Sequence, residues 1–179
     1  MTDDKKILLV LGGARSGKSS YAQQVAAGLG DRVLFCATAQ PLDGEMQERI
    51  QAHRQNRPPG WDTLEISDGL AAALAGRTGA YDAVIIDCIT LLTANCIGEA
   101  MDYRSAEKAV DDEVDGLIDL MRRADCRFIL VSNEVGGGIV PDNRLARVYR
   151  DALGRANQRL ARAADEVILL TAGLPAKLK

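Results

Sequence analysis

Long apolar runs are absent from this sequence of 179 residues. No stretch approaches the roughly 20 apolar residues that span a bilayer, which excludes a transmembrane helix. The charged segment at residues 1–6 leads into an apolar run at residues 7–10 that is too short for the core of a secretory signal peptide. We therefore expect a cytoplasmic protein with no membrane span.

Basic residues are not in excess, and no C-x-x-C pair occurs. Lysine and arginine number 22 against 25 acidic residues, so the formal net charge is -3. Such a chain lacks a broad positive surface for a nucleic-acid backbone, so we expect small-molecule chemistry and no nucleic-acid partner. The cysteines mostly lie in apolar runs, which predicts reduced packing residues. They are Cys36, Cys88, Cys96 and Cys126.

Short β-branched runs alternate along the chain with longer segments of helical periodicity. This alternation predicts βαβ units that form a parallel sheet. The strand cores are continuously apolar, as expected where helices cover both faces of the sheet. No linker divides the chain, so we expect one domain over residues 1–179. Strands are predicted at residues 7–11, 33–37, 83–87, 128–132 and 167–171, with a weaker one at residues 63–66.

Apolar residues at helical spacing predict three helices that face the core. The first stripe comprises Tyr21, Val25 and Leu29; the second comprises Val110, Val114, Leu117, Ile118 and Met121; the third comprises Leu145, Val148, Ala152, Ala156 and Leu160.

A glycine-rich stretch, G-G-A-R-S-G-K-S, follows the first predicted strand and opens a helix. It fits the P-loop pattern G-x-x-x-x-G-K-[ST] in the context that this pattern requires. The glycines let backbone N–H groups surround phosphate oxygens, and the helix adds its positive end. We expect Lys18 to reach the β- and γ-phosphates as a catalytic group and the Ser19 hydroxyl to ligate Mg²⁺. The predicted phosphate site comprises Gly12, Gly13, Ala14, Arg15, Ser16, Gly17, Lys18 and Ser19.

Asp87 ends an apolar strand, A-V-I-I-D, where α/β sheets place their ligands. This is the position of the metal-binding aspartate of P-loop proteins. We expect Asp87 to bind Mg²⁺ directly or through water, while a role in capping the next turn stays open as an alternative.

The P-loop does not by itself distinguish kinases, GTPase switches and motor ATPases. A guanine-reading N-K-x-D stretch is missing, because Asn133, after a late strand, is followed by Glu134 and Val135. A small-molecule kinase is therefore favoured, and a regulatory ATPase that acts through a partner stays open. Asn133 and Glu134 follow a strand end, where they either sense substrate or phosphate or form a turn.

His53 is the only histidine of the chain and lies in a predicted helix over residues 43–56. It shares a face with Met46 and Ile50, which is typical of a half-buried packing residue. Alternatively, it is a nucleophile or phosphate contact in a basic pocket, where nearby cations favour the neutral imidazole. Those cations are Arg49, Arg54 and Arg57.

With these motifs in place, the sequence resembles the bifunctional adenosylcobinamide kinase and adenosylcobinamide-phosphate guanylyltransferase family of cobalamin biosynthesis. The resemblance covers nearly the whole chain. A P-loop alone is generic, whereas the ordered set of further motifs is specific. They are A-T-A at 37–39, R-I-Q-A-H-R at 49–54 with R-P at 57–58 and Trp61, D-C-I-T at 87–90, S-N-E-V-G at 132–136, G-I-V-P at 138–141, N-R-L-A-R at 143–147, N-Q-R-L at 157–160 and A-A-D-E-V at 163–167.

The resemblance implies two reactions on one substrate. The family phosphorylates the aminopropanol hydroxyl of adenosylcobinamide with ATP or GTP. It then transfers GMP from GTP to that phosphate through a covalent guanylyl-histidine, which gives adenosylcobinamide-GDP and pyrophosphate. The family histidine falls on His53, so the nucleophile interpretation is favoured. The alternative is a P-loop small-molecule kinase without guanylyltransferase activity, in which His53 is structural.

The resemblance also implies an α/β fold of the RecA-like P-loop NTPase class, a three-layer sandwich with a mostly parallel central sheet, and a homotrimer. Two departures from the family pattern occur: Asp87 stands where members often have glutamate, and Ala52 precedes His53 where some members have a second histidine. Outside the P-loop, the implied nucleotide contacts are Ala37, Thr38, Ala39, Arg54, Gln55, Asn56, Arg57, Glu65 and Asp87.

Overall fold

The computed structural model describes residues 6–41, 43–55, 57–98 and 102–179, with the side chains of Glu45, Arg49 and His53 left out. Within these residues, seven strands form one sheet. They are β1 (Ile7–Gly12), β2 (Val33–Ala37), β3 (Asp62–Glu65), β4 (Ala83–Asp87), β5 (Arg127–Asn133), β6 (Glu166–Thr171) and β7 (Leu174–Lys177).

The strands lie in the order β3-β2-β4-β5-β1-β6-β7. Every neighbouring pair is parallel except β6 and β7, which form an antiparallel hairpin at one edge. The helices are α1 (Lys18–Ala27), α2 (Gly44–Gln55), α3 (Leu70–Leu74), α4 (Ile89–Ile97), α5 (Tyr103–Arg123) and α6 (Arg144–Ala163), with a 3-10 turn at Thr78–Ala80.

Two hydrophobic cores, one on each face of the sheet, hold three layers together. On one face, buried residues of α3 to α6 pack with Leu9 and its same-face neighbours. On the other face, Ala22 and Ala26 of α1 pack against a set that includes Val10 and Phe35. Because consecutive strand residues point to opposite faces, both kinds of position are apolar, which explains the continuous apolar runs.

The predicted parallel sheet is confirmed, and its five main strands lie where the apolar runs predicted them. The weaker strand forms β3, one residue earlier than predicted. The four cysteines are free, as predicted. None of the helices in the described ranges has the length and apolarity needed to cross a membrane.

Leu145 was predicted to face the core, and that prediction is wrong: it is 45% exposed. α6 starts at Arg144, where the side chain of Asn143 accepts hydrogen bonds from the N–H groups of Leu145 and Ala146. The first turn therefore extends past the packed layer, and burial begins only at Val148.

In α1 the small residues Ala22 and Ala26 are fully buried in the core on this face of the sheet. The predicted stripe of Tyr21, Val25 and Leu29 is only partly buried at the margin of this contact.

Candidate active site

The strand registers bring the predicted site residues to one edge of the sheet. Ala37, at the end of β2, pairs with Glu65 on one side and with Asp87 on the other. Gly12, at the end of β1, pairs with Asn133 of β5. Since these strands are parallel, their carboxyl ends form a single edge, which is where ligands bind in such sheets.

The segment at residues 12–19, which we call the phosphate loop, follows β1 at this edge. It begins at Gly12, a position where only glycine fits. Gly12 has a φ of 154°, and a Cβ atom there would lie 2.5 Å from both the Leu170 carbonyl oxygen and the Ser16 Oγ. Gly17 has a φ of 94° and is the residue that precedes α1. These two positions need glycine for backbone reasons, which explains the spacing of the motif.

Lys18 is the buried cation of this loop. Its side chain lies at the start of α1, the residue is 7% exposed, and its Nζ donates a hydrogen bond to the Gly13 carbonyl oxygen at 2.5 Å. Burial lowers the pKa of Lys18, while negative charge on Cys88 or Asp87 acts in the opposite direction. Because burial raises the pKa of Cys88 to about 11, its thiol is neutral at pH 7 and Asp87 is the effective counter-charge.

The hairpin of β6 and β7 supports the phosphate loop from the side. The Gly173 N–H donates to the Ser16 carbonyl oxygen at 3.1 Å, and the Gly173 Cα lies 3.5 Å from the position that a Cβ on Gly17 would take. The sequence did not predict this contact, since β7 carries no apolar alternation and joins the loop only through the tertiary fold.

Asp87 lies at the same edge, as the last residue of β4, and the side chain of Thr38 holds the backbone of the next residue, Cys88. The Thr38 hydroxyl donates to the Cys88 carbonyl oxygen at 2.7 Å and accepts from the Cys88 N–H at 2.8 Å. Thr38 itself is completely buried. Its side chain therefore fixes the chain around Asp87 from within the protein, and Thr38, unlike Ala37 and Ala39, does not line the cavity at this edge.

A cavity of about 990 Å³ opens along this edge. Its volume is at the upper end of the usual range for small-molecule sites, about 300–1,000 Å³. It extends from the phosphate loop to the face of α2 that carries Met46, Ile50 and Arg54. The predicted site residues that line it are Ala14, Arg15, Ser16, Gly17, Lys18, Ser19, Ala37, Ala39, Arg54, Gln55, Arg57, Glu65 and Asp87.

Several predicted residues are placed differently. Gly12 is buried beneath the loop, and Gly13 is exposed beside it. The backbone of His53 belongs to α2, but its side chain lies outside the described part of the structure, as does all of Asn56.

Two arginines bring positive charge to the end of the cavity near α2. The Arg57 guanidinium lies over the Phe35 ring, with 4.0 Å between its Cζ and the ring centroid, and its Nη1 donates to Thr63 Oγ1 at 3.2 Å. Burial lowers the pKa of Arg57, although the carboxylates of Asp87 and Glu65 oppose this effect. Arg54 forms an ion pair with Glu65, and both side chains are about half exposed.

The cavity wall has unsatisfied polar atoms. Among the residues that the structure describes, four buried side-chain polar atoms lack a hydrogen-bond partner, and three of them belong to cavity residues. These three are Ser16 Oγ, Arg57 Nε and Asp87 Oδ2. Buried polar groups are nearly always paired in folded proteins, so this clustering is the mark of a polar ligand site.

Sequence reasoning did not assign Phe35, Met46 and Thr90, which also line the cavity. Phe35 is a buried residue of β2 and Thr90 a buried residue in the first turn of α4, and in such places an apolar or small polar side chain gives no signal of function. Only the cavity formed by the tertiary fold relates them to the site.

A parallel sheet whose first strand leads into a phosphate loop, with an aspartate at the end of another strand, defines a P-loop nucleotide-binding protein. The crystal structure of the RadB recombinase has the same RecA-like fold, with a TM-score of 0.51 over 92% of this chain and 73% of that chain at 14% identity. The fold class predicted from the sequence is confirmed.

The particular family follows from the sequence. The family described as cobinamide kinase / cobinamide phosphate guanyltransferase matches residues 8–178, and the chain belongs to it. The bifunctional adenosylcobalamin biosynthesis protein CobU of Salmonella typhimurium is 45% identical over 97% of this chain and 99% of its own length. The bifunctional adenosylcobalamin biosynthesis protein CobP of Pseudomonas aeruginosa is 42% identical over 96% of each chain. The resemblance inferred from the motifs is confirmed.

Replacing Lys18 by alanine is expected to weaken nucleoside triphosphate binding and to lower turnover about 100-fold or more, because electrostatic positioning supplies most of phosphoryl-transfer catalysis. Titration calorimetry and steady-state turnover measure the two effects. Lys108→Ala is the matched control, since this lysine lies on α5 and pairs with Asp112 instead. Unchanged binding and turnover in Lys18→Ala would remove the phosphate loop from the mechanism.

Proposed function

We propose that this protein catalyses two successive reactions on adenosylcobinamide. In the first, it phosphorylates the aminopropanol hydroxyl with ATP or GTP. In the second, it transfers GMP from GTP to the new phosphate through a guanylyl-histidine at His53, which yields adenosylcobinamide-GDP and pyrophosphate. The main support is family membership over residues 8–178 together with one cavity that runs from the phosphate loop to α2, the helix that carries His53.

In the kinase step, the acceptor hydroxyl oxygen bonds to the γ-phosphorus and the bond to the β–γ bridging oxygen breaks. The residues that support this step are those of the phosphate loop. Backbone N–H groups at the start of α1 face the phosphates together with the helix dipole, and the Lys18 ammonium exchanges its Gly13 partner for phosphate oxygens. Because Lys18 is buried, its charge acts through a medium of low dielectric constant.

The residues present fit a magnesium ion. Asp87 Oδ2 is buried without a protein partner, and Ser19 lines the same cavity. Carboxylate and hydroxyl oxygens are ligands that Mg²⁺ accepts, with phosphate oxygens and water completing its shell. Mg²⁺ held by Ser19 and Asp87 would neutralise charge on the phosphates of the bound nucleotide.

Asp87→Asn keeps the shape of this side chain but removes its charge. We expect Mg²⁺ to lose its enhancement of nucleotide binding and turnover to fall on the order of 100-fold, since metal-assisted charge stabilisation contributes several kcal/mol. Calorimetric titration with GTP, with and without Mg²⁺, measures this directly. Asp125→Asn, at a highly exposed carboxylate, is the control. If the Mg²⁺ dependence of Asp87→Asn equals that of the wild type, Asp87 is a turn residue.

In the guanylyl step, a ring nitrogen of His53 attacks the α-phosphorus of GTP, the bond to the α–β bridging oxygen breaks, and pyrophosphate leaves. The phosphoramidate then passes GMP to the acceptor phosphate, which restores the imidazole. The cations at the α2 end of the cavity support this step, since Arg54 and Arg57 both line the wall there and can bind phosphate oxygens.

We also propose a domain organisation, a cellular location and an oligomeric state for the enzyme. We infer one domain over residues 1–179, because all seven described strands join one sheet. We also propose a cytoplasmic location, on the basis of the reduced cysteines and the lack of long apolar runs in the sequence. A homotrimer is proposed from the resemblance to the family, and a solution mass other than three chains in sedimentation would contradict it.

His53→Ala separates the two reactions. It should abolish both GMP labelling of the protein and formation of adenosylcobinamide-GDP, yet leave phosphorylation of adenosylcobinamide measurable, because direct transfer to a hydroxyl does not need this nitrogen. In the wild type, lowering the pH should suppress labelling first, since imidazolium has no free electron pair. Radiolabelled GTP and chromatography of the corrinoid products measure both reactions.

Glu48→Ala is the matched control, because Glu48 is an exposed residue of the same helix. It should keep both activities. Label that persists on His53→Ala would show that another residue is the nucleophile and that His53 has a structural role.

A further inference from the structure

Asn133 occupies a special place in the sheet. It ends β5, the strand that lies between β1, which carries the phosphate loop, and β4, which ends at Asp87. It pairs in register with Gly12, and it is one of the residues that line the cavity, together with Lys18 and Asp87. Asn133 therefore ends a strand that lies between the strand leading into the phosphate loop and the strand ending at Asp87.

Side chains, rather than neighbouring strands alone, fix the backbone of Asn133. Its N–H donates to Thr90 Oγ1 at 2.7 Å, and its carbonyl oxygen accepts from Asn157 Nδ2 at 3.0 Å. Asn157 in turn accepts at Oδ1 from the Ser132 hydroxyl at 2.6 Å. The next residue, Glu134, donates its N–H to the Gly12 carbonyl oxygen at 3.0 Å, which ties the strand end to the phosphate loop.

All three supporting side chains are buried: Thr90 and Asn157 are 6% exposed, and Ser132 is not exposed at all. Burying polar groups is unfavourable unless each one finds a partner, so a buried polar network of this kind specifies one local geometry. Here the geometry that it specifies is the direction in which Asn133 leaves the strand. Such support is what holds a catalytic group in place before substrate binds.

The carboxamide of Asn133 suits a phosphoryl group. It carries two N–H donors and no charge, so it can bind a phosphate oxygen without adding to the repulsion that a carboxylate would cause. Lys18 and Asp87 already provide a cation and an anion in the same wall. A neutral donor in the same wall can hydrogen-bond to a phosphoryl oxygen as negative charge develops on the transferred group.

We propose that Asn133 is a catalytic residue of the kinase step, donating from Nδ2 to an oxygen of the γ-phosphoryl group during transfer, and that Thr90 and Asn157 are its positioning residues. In that step the acceptor oxygen bonds to the γ-phosphorus while the bond to the bridging oxygen breaks. The electron pair stays on the departing nucleoside diphosphate, and the hydroxyl proton passes to a phosphoryl oxygen. This inference rests on the proposed function.

Guanylyl transfer provides an internal comparison. There the α-phosphorus is attacked, and the γ-phosphate leaves as part of pyrophosphate. Asn133 should therefore matter for phosphorylation of the acceptor and much less for GMP labelling of the enzyme. A residue that merely stabilised the fold, or bound nucleotide in both steps, would affect the two reactions alike.

The test measures both reactions in Asn133→Ala and Asn133→Ser. We expect kcat for phosphorylation of adenosylcobinamide to fall about 100-fold, the usual loss when one transition-state donor is removed, with KM for the nucleotide within about threefold of the wild type. GMP labelling should stay within about threefold. Thermal unfolding of both variants checks the fold, and the serine variant serves if the alanine variant is unstable.

The positioning role has its own matched pair. Thr90→Val removes the hydroxyl but keeps the shape, so kcat for phosphorylation should fall about tenfold with little change in KM. Thr90→Ser retains the hydroxyl and should restore kcat to near the wild-type value. A fall of equal size in both variants would show that Thr90 acts through packing and would overturn its positioning role.

Kinase turnover of Asn133→Ala within threefold of the wild type would overturn the inference, and so would an equal fall in phosphorylation and labelling. If the proposed function itself were wrong, the wild-type enzyme would already show it. A wild-type enzyme that transfers no phosphoryl group to adenosylcobinamide contradicts both the proposal and this inference. A wild type that phosphorylates but never becomes labelled contradicts only the guanylyl half, and the kinase measurement on the variants still decides the role of Asn133.

Discussion

A buried ammonium group organises the phosphate end of the site. Lys18 is removed from water, and its burial is balanced by the Gly13 carbonyl oxygen and the nearby Asp87 carboxylate. The loop can hold it there because Gly12 turns where a side chain would collide with Leu170 and Ser16. The hairpin contact at Gly173 and the register of β1 with β5 support this loop from two sides, and Asp87 lies close enough to act on the charge of Lys18.

The second constraint is unsatisfied polarity. A protein of this size buries few polar atoms without partners, yet here Ser16, Arg57 and Asp87 each present one in a single cavity. The Arg57 guanidinium is held against Phe35 at one end, while Lys18 lies at the other. A ligand with several anionic groups along its length would satisfy both ends, and a nucleoside triphosphate has that character.

Local sequence signals predicted the parts of the molecule that local physics controls. The phosphate loop was recognisable because its glycines and Lys18 have fixed spacing, and the buried strands because both of their faces are apolar. β7 was missed since L-P-A-K is an exposed edge strand, where proline is tolerated and no apolar pattern is required. α4 was missed because it is short and carries no charged residue, and because its polar residues Thr90 and Thr93 are themselves buried, so no polar face marks a helical period.

The site was predictable only in part, for a related reason. Asp87 could be assigned from its place at a strand end, but the network of Thr90, Ser132 and Asn157 joins residues far apart in the sequence. At Leu145 the helical spacing predicts burial, but the residue is exposed because it lies in the first turn of α6, before the helix packs against the core. For His53, spacing alone favours a packing role, and only the resemblance to the family indicates a nucleophile.

We propose that one cavity serves two reactions and that the second proceeds through a covalent bond between GMP and the protein. The most direct measurement is the intact mass of the wild-type protein after mixing with GTP and Mg²⁺, without any corrinoid acceptor. We expect a mass increase of one GMP per chain, which reverses when phosphorylated adenosylcobinamide is added. An unchanged mass, with phosphorylation of adenosylcobinamide intact, would contradict the covalent step and reduce the protein to a kinase.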